Sequence, residues 1–184
     1  MRAFIAVDLD PGLKAAVQDL IRALEATRAE VRWTKPGGYH LTLRFLGEID
    51  DATAERVKAV LRGAASRHKG FPLSLRGTGA FPGERNPRVL WLGIEAGPEL
   101  AALQRDLEAA LEAEGFPRED RPFKPHLTLG RVKGRDRLDK AMAELAKHAA
   151  EDLGGMTAVK VALFESRLRP DGAEYHIVDE AGLG

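Results

Sequence analysis

The chain has 184 residues, 28 basic and 28 acidic side chains, five histidines and no cysteine. That length allows one large domain or two small lobes, and 44% hydrophobic with 30% charged residues describes a globular chain rather than a disordered one. The lack of cysteine excludes disulfide scaffolds, thiol nucleophiles and cysteine-ligated metal sites, while a formal charge of zero argues against a non-specific nucleic-acid coater and leaves room for a local basic patch.

Arg2–Asp8, with β-branched Ile5 and Val7, reads as a strand, and Asp10-Pro11 as the cap and first turn of a helix. Ala16, Val17, Leu20, Ile21 and Leu24 recur at helical spacing and carry that helix to about Thr27. Val31–Thr34 is a short strand, Lys35-Pro36-Gly37-Gly38 a turn, and Tyr39–Leu46 an alternating strand closed by Gly47. A second helix runs from Asp50/Asp51 to His68. Phe71–Leu75 and Val89–Ile94 are strands around a glycine- and proline-rich loop at Gly77–Pro87, which also holds Arg85. Glu99–Glu114 is a helix stopped by Gly115, His126–Val132 a strand, Asp136–His148 a helix, and Val159–Glu165 and Tyr175–Val178 two more strands. The apolar run at the start ends in acids by Asp10, and no window reaches the roughly 18 apolar residues of a membrane span. Neither a targeting nor a membrane segment is expected, and a cytoplasmic setting follows.

The tetrapeptide His40-Leu41-Thr42-Leu43 returns as His126-Leu127-Thr128-Leu129, 86 positions on. At the same offset Arg2–Val7 falls on Arg88–Gly93, the first helix on Gly97–Ala113, Asp50–Ser66 on Asp136–Asp152, and Phe71–Leu75 on Thr157–Val161. A whole order of elements preserved at one offset is internal duplication. The expected architecture is α+β: one bilobal domain over 1–184, with repeats of about 1–86 and 87–184. Each pseudo-symmetric lobe has antiparallel strands packed against two helices, with a cleft between lobes.

Strand alternation puts His40, Thr42 and Arg44 on one face and Leu41, Leu43 and Phe45 on the other. With the leucines in the core, the His–Thr pairs of the two lobes are free to meet across the cleft. Imidazole, with a pKa of about 6.5, serves as base or acid near neutrality. Two imidazoles and two hydroxyls suit exchange of one oxygen for another at phosphorus. Arg131 has core parity, so only a bulge or a strand end at Gly130 brings it to the cleft. Lys124, Lys133, Arg135 and Arg137 surround the second motif as a local basic patch. A lone strand histidine is usually structural; His68 and His148 read as solvated, His176 as lining or edging the cleft, and Trp33 and Phe45 as core. Two histidines without a carboxylate of matching parity make a poor zinc site.

Trp33 followed by Tyr39-HLTLRFLGE, Pro125-HLTLGRV, and Phe164–Tyr175 resemble the bacterial and archaeal RNA 2′,3′-cyclic phosphodiesterase branch of the 2H phosphoesterases, historically the 2′-5′ RNA ligase family. The resemblance spans essentially the whole chain. It implies hydrolysis of a 2′,3′-cyclic phosphate RNA end to a 2′-phosphomonoester without metal or cofactor, with reversible 2′-5′ ligation at the same site. His40 would be the proton donor to the leaving 3′ oxygen and His126 the base, Thr42 and Thr128 would hold phosphate oxygens, and Arg44 and Arg131 would contact phosphate or backbone. The partners implied are RNA 3′ ends or nucleotides bearing the cyclic phosphate, bound by a monomer and away from membranes. The alternatives are a small cyclic nucleotide or ADP-ribose cyclic phosphate as substrate, a nuclease on RNA 3′ ends, or a non-catalytic binder of such ends.

Overall fold

Nine strands and four helices follow one another along the computed structural model, which describes residues 1–184. The first half supplies β1 (Arg2–Asp8), α1 (Pro11–Glu25), β2 (Val31–Trp33), a 3-10 turn at Pro36–Gly38, β3 (His40–Glu48), α2 (Asp51–Arg67) and β4 (Phe71–Phe81). The second supplies β5 (Val89–Ala96), α3 (Pro98–Ala113), β6 (His126–Val132), α4 (Leu138–Ala146), β7 (Asp152–Ala158), β8 (Lys160–Arg169) and β9 (Gly172–Gly182). Helix starts follow capping chemistry: Asp10 Oδ1 accepts the Leu13 N–H at 2.8 Å, and Asp50 Oδ1 the Thr53 N–H at 2.7 Å.

Several elements differ from expectation, β8 and β9 by running on to Arg169 and over Gly172–Gly182. β4 continues through Gly77 and Gly79 to Phe81, so the first part of the expected loop is strand. α4 begins two residues later than Asp136 and ends two before His148. No strand is expected where β7 lies, and β7 carries a Gly154-Gly155 pair. Close approach explains the pair: a Cβ at 155 would lie 2.8 Å from the Leu73 carbonyl oxygen of β4.

Sheet I has strand order β3-β1-β8-β9 and sheet II β2-β6-β5-β4-β7, antiparallel throughout. α2 and α3 pack on sheet I, and α1 and α4 on sheet II. The two halves of the chain therefore do not coincide with the two lobes. Strands β2 and β4 and helix α1 cross from the first half into sheet II; β8, β9 and α3 cross from the second half into sheet I. One apolar core of 34 residues runs through both lobes. The repeat is also less uniform than one offset suggests. Asp8 pairs with His40 and Gly93 with His126, so β1 and β5 correspond at 85 positions rather than 86.

Both HLTL strands break alternation at the same place. The β1–β3 register passes from Ala6–Thr42 to Ile5–Arg44, skipping Leu43, and the β5–β6 register from Trp91–Thr128 to Leu90–Gly130, skipping Leu129. At each bulge two consecutive residues turn inward and the alternation inverts beyond it, until β3 shifts once more at Leu46. Arg44, expected beside His40, is 8% exposed on the helix side. There Glu108 of α3 and the carbonyls of Phe45 and Pro117 accept from its guanidinium. Phe45, expected in the core, is 42% exposed on the open face. Arg131 pairs with Val89 and reaches the open face through the bulge at Gly130. Only glycine fits there, since a Cβ would lie 2.6 Å from Val31 Cγ1 and 2.8 Å from Trp33 Cε3. Trp33 packs on the core as expected.

Arg44→Ala leaves Glu108, itself largely buried, without its counter-charge. The expected cost is about 3–5 kcal/mol of unfolding free energy, read from urea denaturation; an unchanged midpoint would show that this ion pair has no net structural weight.

Candidate active site

His40 opens β3 and His126 opens β6, and these two strands touch where the sheets meet. Thr34 joins the first half to β6: its N–H donates to the Leu129 carbonyl at 2.9 Å and its hydroxyl to the Thr128 carbonyl at 2.7 Å. Leu41, Leu43, Leu127 and Leu129 are buried, so alternation before the bulges turns His40, Thr42, His126 and Thr128 toward the open faces. Neither the Thr42 nor the Thr128 hydroxyl takes part in an internal hydrogen bond, which leaves both to donate to a ligand.

The two histidines sit in unlike surroundings. The His40 ring stacks on Phe4 and Phe164, at centroid distances of 4.8 and 5.4 Å, with Tyr175 edge-on at 5.3 Å. Its Nδ1 is buried without a hydrogen-bond partner. Burial pushes the His40 pKa from the ordinary 6.5 down to about 4; the Asp8 carboxylate opposes the shift, and Lys14 in turn opposes Asp8. Lys14 and Asp8 are themselves ion-paired at 3.0 Å.

His126 Nδ1 lies 2.7 Å from the Lys124 carbonyl oxygen. A carbonyl only accepts, so Nδ1 carries the proton and the neutral ring keeps its lone pair on Nε2. Phe81 stands edge-on to this ring at 5.0 Å. Where Asp8 faces His40, Gly93 faces His126, so the second histidine has no carboxylate across the ladder.

The remaining histidines lie elsewhere. His68, expected to be solvated, meets Asp106 at 2.7 Å, and Arg67 binds the same carboxylate, clasping α2 to α3. His148 contacts Glu151 and Glu144 near the end of α4. His176 pairs with Glu165, which pairs with core residue Ala3, so His176 points away from the cleft. The rings around His40 and His126 had no role assigned from sequence, since Phe4, Phe81, Phe164 and Tyr175 come from four separate strands. A parity signal existed: Phe4 and Phe164 each sit beside a core residue, Ile5 and Leu163, and so on the opposite face. No group of three His, Asp or Glu side chains is arranged to hold a metal ion, and no helix is long and apolar enough to cross a membrane.

Because folded His40 titrates below an unfolded imidazole, the unfolded chain binds more protons between pH 6.5 and about 4. The stability that neutral His40 contributes is complete above pH 6.5 and lost as pH falls through that window, about 3 kcal/mol in all. His40→Gln should remove this part of the pH dependence. Urea titrations across the window read it, and equal slopes for both proteins would contradict a caged neutral ring.

Residues 13–168 match the family model of the 2′-5′ RNA ligase superfamily. The RNA 2′,3′-cyclic phosphodiesterase of Methanothermobacter thermautotrophicus is 38% identical over 178 residues, covering 95% of each chain. The protein of that name from Archaeoglobus fulgidus is 35% identical over 176 residues, covering 95% of this chain and 96% of its own. A crystal structure from Thermus thermophilus superposes with a TM-score of 0.82 at 30% identity, covering 100% of this chain and 98% of that one. With a family match over most of its length and relatives this similar end to end, the chain belongs to the 2′-5′ RNA ligase superfamily.

Proposed function

We propose that the protein hydrolyses 2′,3′-cyclic phosphate ends of RNA to 2′-phosphomonoesters, with His40 and His126 as acid and base. The reading rests on one observation above all: two His-x-Thr strands touch at the junction of the sheets, and all four polar side chains lie on open faces. The relatives' names agree with it over nearly the full length of the chain.

His126 Nε2 takes a proton from water as the water oxygen attacks phosphorus. The bond from phosphorus to the 3′ oxygen breaks, and His40 gives that oxygen its proton. The products are a 2′-phosphate and a free 3′ hydroxyl, and solvent then exchanges the proton gained by His126 for the one lost by His40. Thr42 and Thr128 donate to the non-bridging oxygens. At rest, burial keeps His40 neutral. The negative charge of a bound phosphodiester favours the imidazolium, so the substrate itself helps to charge its acid. With a 5′ ribose hydroxyl in place of water as the nucleophile, the same steps form a 2′-5′ linkage, and the 3′ oxygen is again the leaving group. The partners are cyclic-phosphate ends met in the cytoplasm by a monomer.

His40→Ala and His126→Ala are each expected to lower turnover of a cyclic-phosphate-ended oligonucleotide by roughly 10²–10⁴-fold in the presence of EDTA. Near-wild-type turnover in either variant would remove that histidine from the chemistry. The rate of the wild-type protein should trace a bell against pH, since one ring must be charged while the other is neutral; a rate rising steadily across neutrality would contradict the pairing.

A further inference from the structure

We infer that the groove along the β2–β6 edge of sheet II, walled by Arg32 and Lys133, binds the phosphodiester backbone of the RNA strand upstream of its cyclic end. The inference rests on the cyclic-phosphodiesterase reading and adds a subsite to it, one that holds the strand behind the cyclic end and so separates RNA chains from cyclic mononucleotides. The groove is shallow and open to solvent, with a volume of about 390 Å³, and is lined by Ala29, Glu30, Val31, Arg32 and Lys133.

Arg32 and Arg131 are direct cross-strand partners. Val31 and Trp33 pack on the core, so Arg32 takes the opposite face, the one on which Arg131 and His126 lie. Like charges directly opposed in a β ladder are unfavourable, a cost that an anion lying between them relieves. Eight of the chain's other seventeen arginines have carboxylate partners, among them Arg44 with Glu108, Arg67 with Asp106 and Arg118 with Glu112. Arg32, Arg131 and Lys133 are exposed, and none forms an ion pair. The one carboxylate lining the groove, Glu30, lies over Gly134, where a Cβ would come 1.6 Å from its Oε2. In a chain of zero formal charge, a local excess of free cations is a site for a polyanion.

Distance sets which phosphate is met. Lys133 lies seven residues beyond His126, just past the end of β6, roughly 20 Å at the rise of a strand. That span separates the groove from a phosphate held at His126 and suits nucleotides further along the chain. The other wall is built differently. The repeat puts Phe45 opposite Arg131, with Arg2 over its ring at 5.1 Å, and β3 is an edge strand with no counterpart of β2. One wall thus offers cations to a backbone and the other a ring to a base.

The test compares 2′,3′-cyclic AMP with a short RNA oligonucleotide ending in a cyclic phosphate, for the wild type, Arg32→Gln and Lys133→Gln. The expected result is a KM for the oligonucleotide raised roughly three- to tenfold by each substitution, and a salt dependence of kcat/KM shallower by about 0.7 per lost contact, with cyclic AMP turnover unchanged. An unchanged oligonucleotide KM in both variants overturns the inference, as does an equal loss on both substrates. If the wild type turns over neither substrate, the cyclic-phosphodiesterase reading has failed. Fluorescence anisotropy with a labelled 2′-phosphorylated RNA then decides the groove alone: weaker binding by the variants upholds it and equal binding overturns it.

Discussion

Burial of Leu41, Leu43, Leu127 and Leu129 against the helices is the constraint on which the site depends. A strand has a period of two, so a slip of one residue would expose four leucines and bury two histidines and two threonines. Each fully buried leucine is worth about 1.5–3 kcal/mol, which makes that slip prohibitive. The polar groups are held outward because their neighbours are held inward. The bulges then limit how far this logic runs. Up to Thr42 and Thr128 the alternation is strict; one residue later it inverts, sending Arg44 to Glu108 and Arg131 to the open face.

The exchange of strands between halves makes the two copies one structure. Each sheet takes two neighbouring strands from one half, β1 with β3 or β5 with β6, and the next strand, β8 or β4, from the other. Neither repeat can complete a sheet alone, and the apolar core is continuous across both. The histidines are thereby fixed relative to each other by the whole core rather than by a linker. Their aromatic neighbours come from the crossing strands: Phe164 of β8 lies against His40, and Phe81 of β4 against His126.

Duplication supplies two equivalent motifs, and the surroundings make them unequal. Three rings and an unpartnered Nδ1 enclose His40, whereas a backbone carbonyl fixes the tautomer of His126 and leaves its Nε2 available. Asp8 faces one and Gly93 the other. A symmetric pair of imidazoles has no preferred direction of proton flow; differences of burial and charge around each ring give it one.

The sequence by itself determined the duplication, most of the helices and strands, and the outward parity of His40, Thr42, His126 and Thr128, because these follow from local periodicity and capping at Asp10 and Asp50. Only the tertiary structure decided which half lends a strand to which sheet, where Arg44, Phe45 and Arg131 point, and what encloses His40. Those outcomes depend on long-range pairing. A bulge arises from register with a neighbouring strand, a buried ion pair needs Glu108 from a helix 64 residues away, and a ring cage draws on β1, β8 and β9 at once. Periodicity in one segment carries no information about partners that distant.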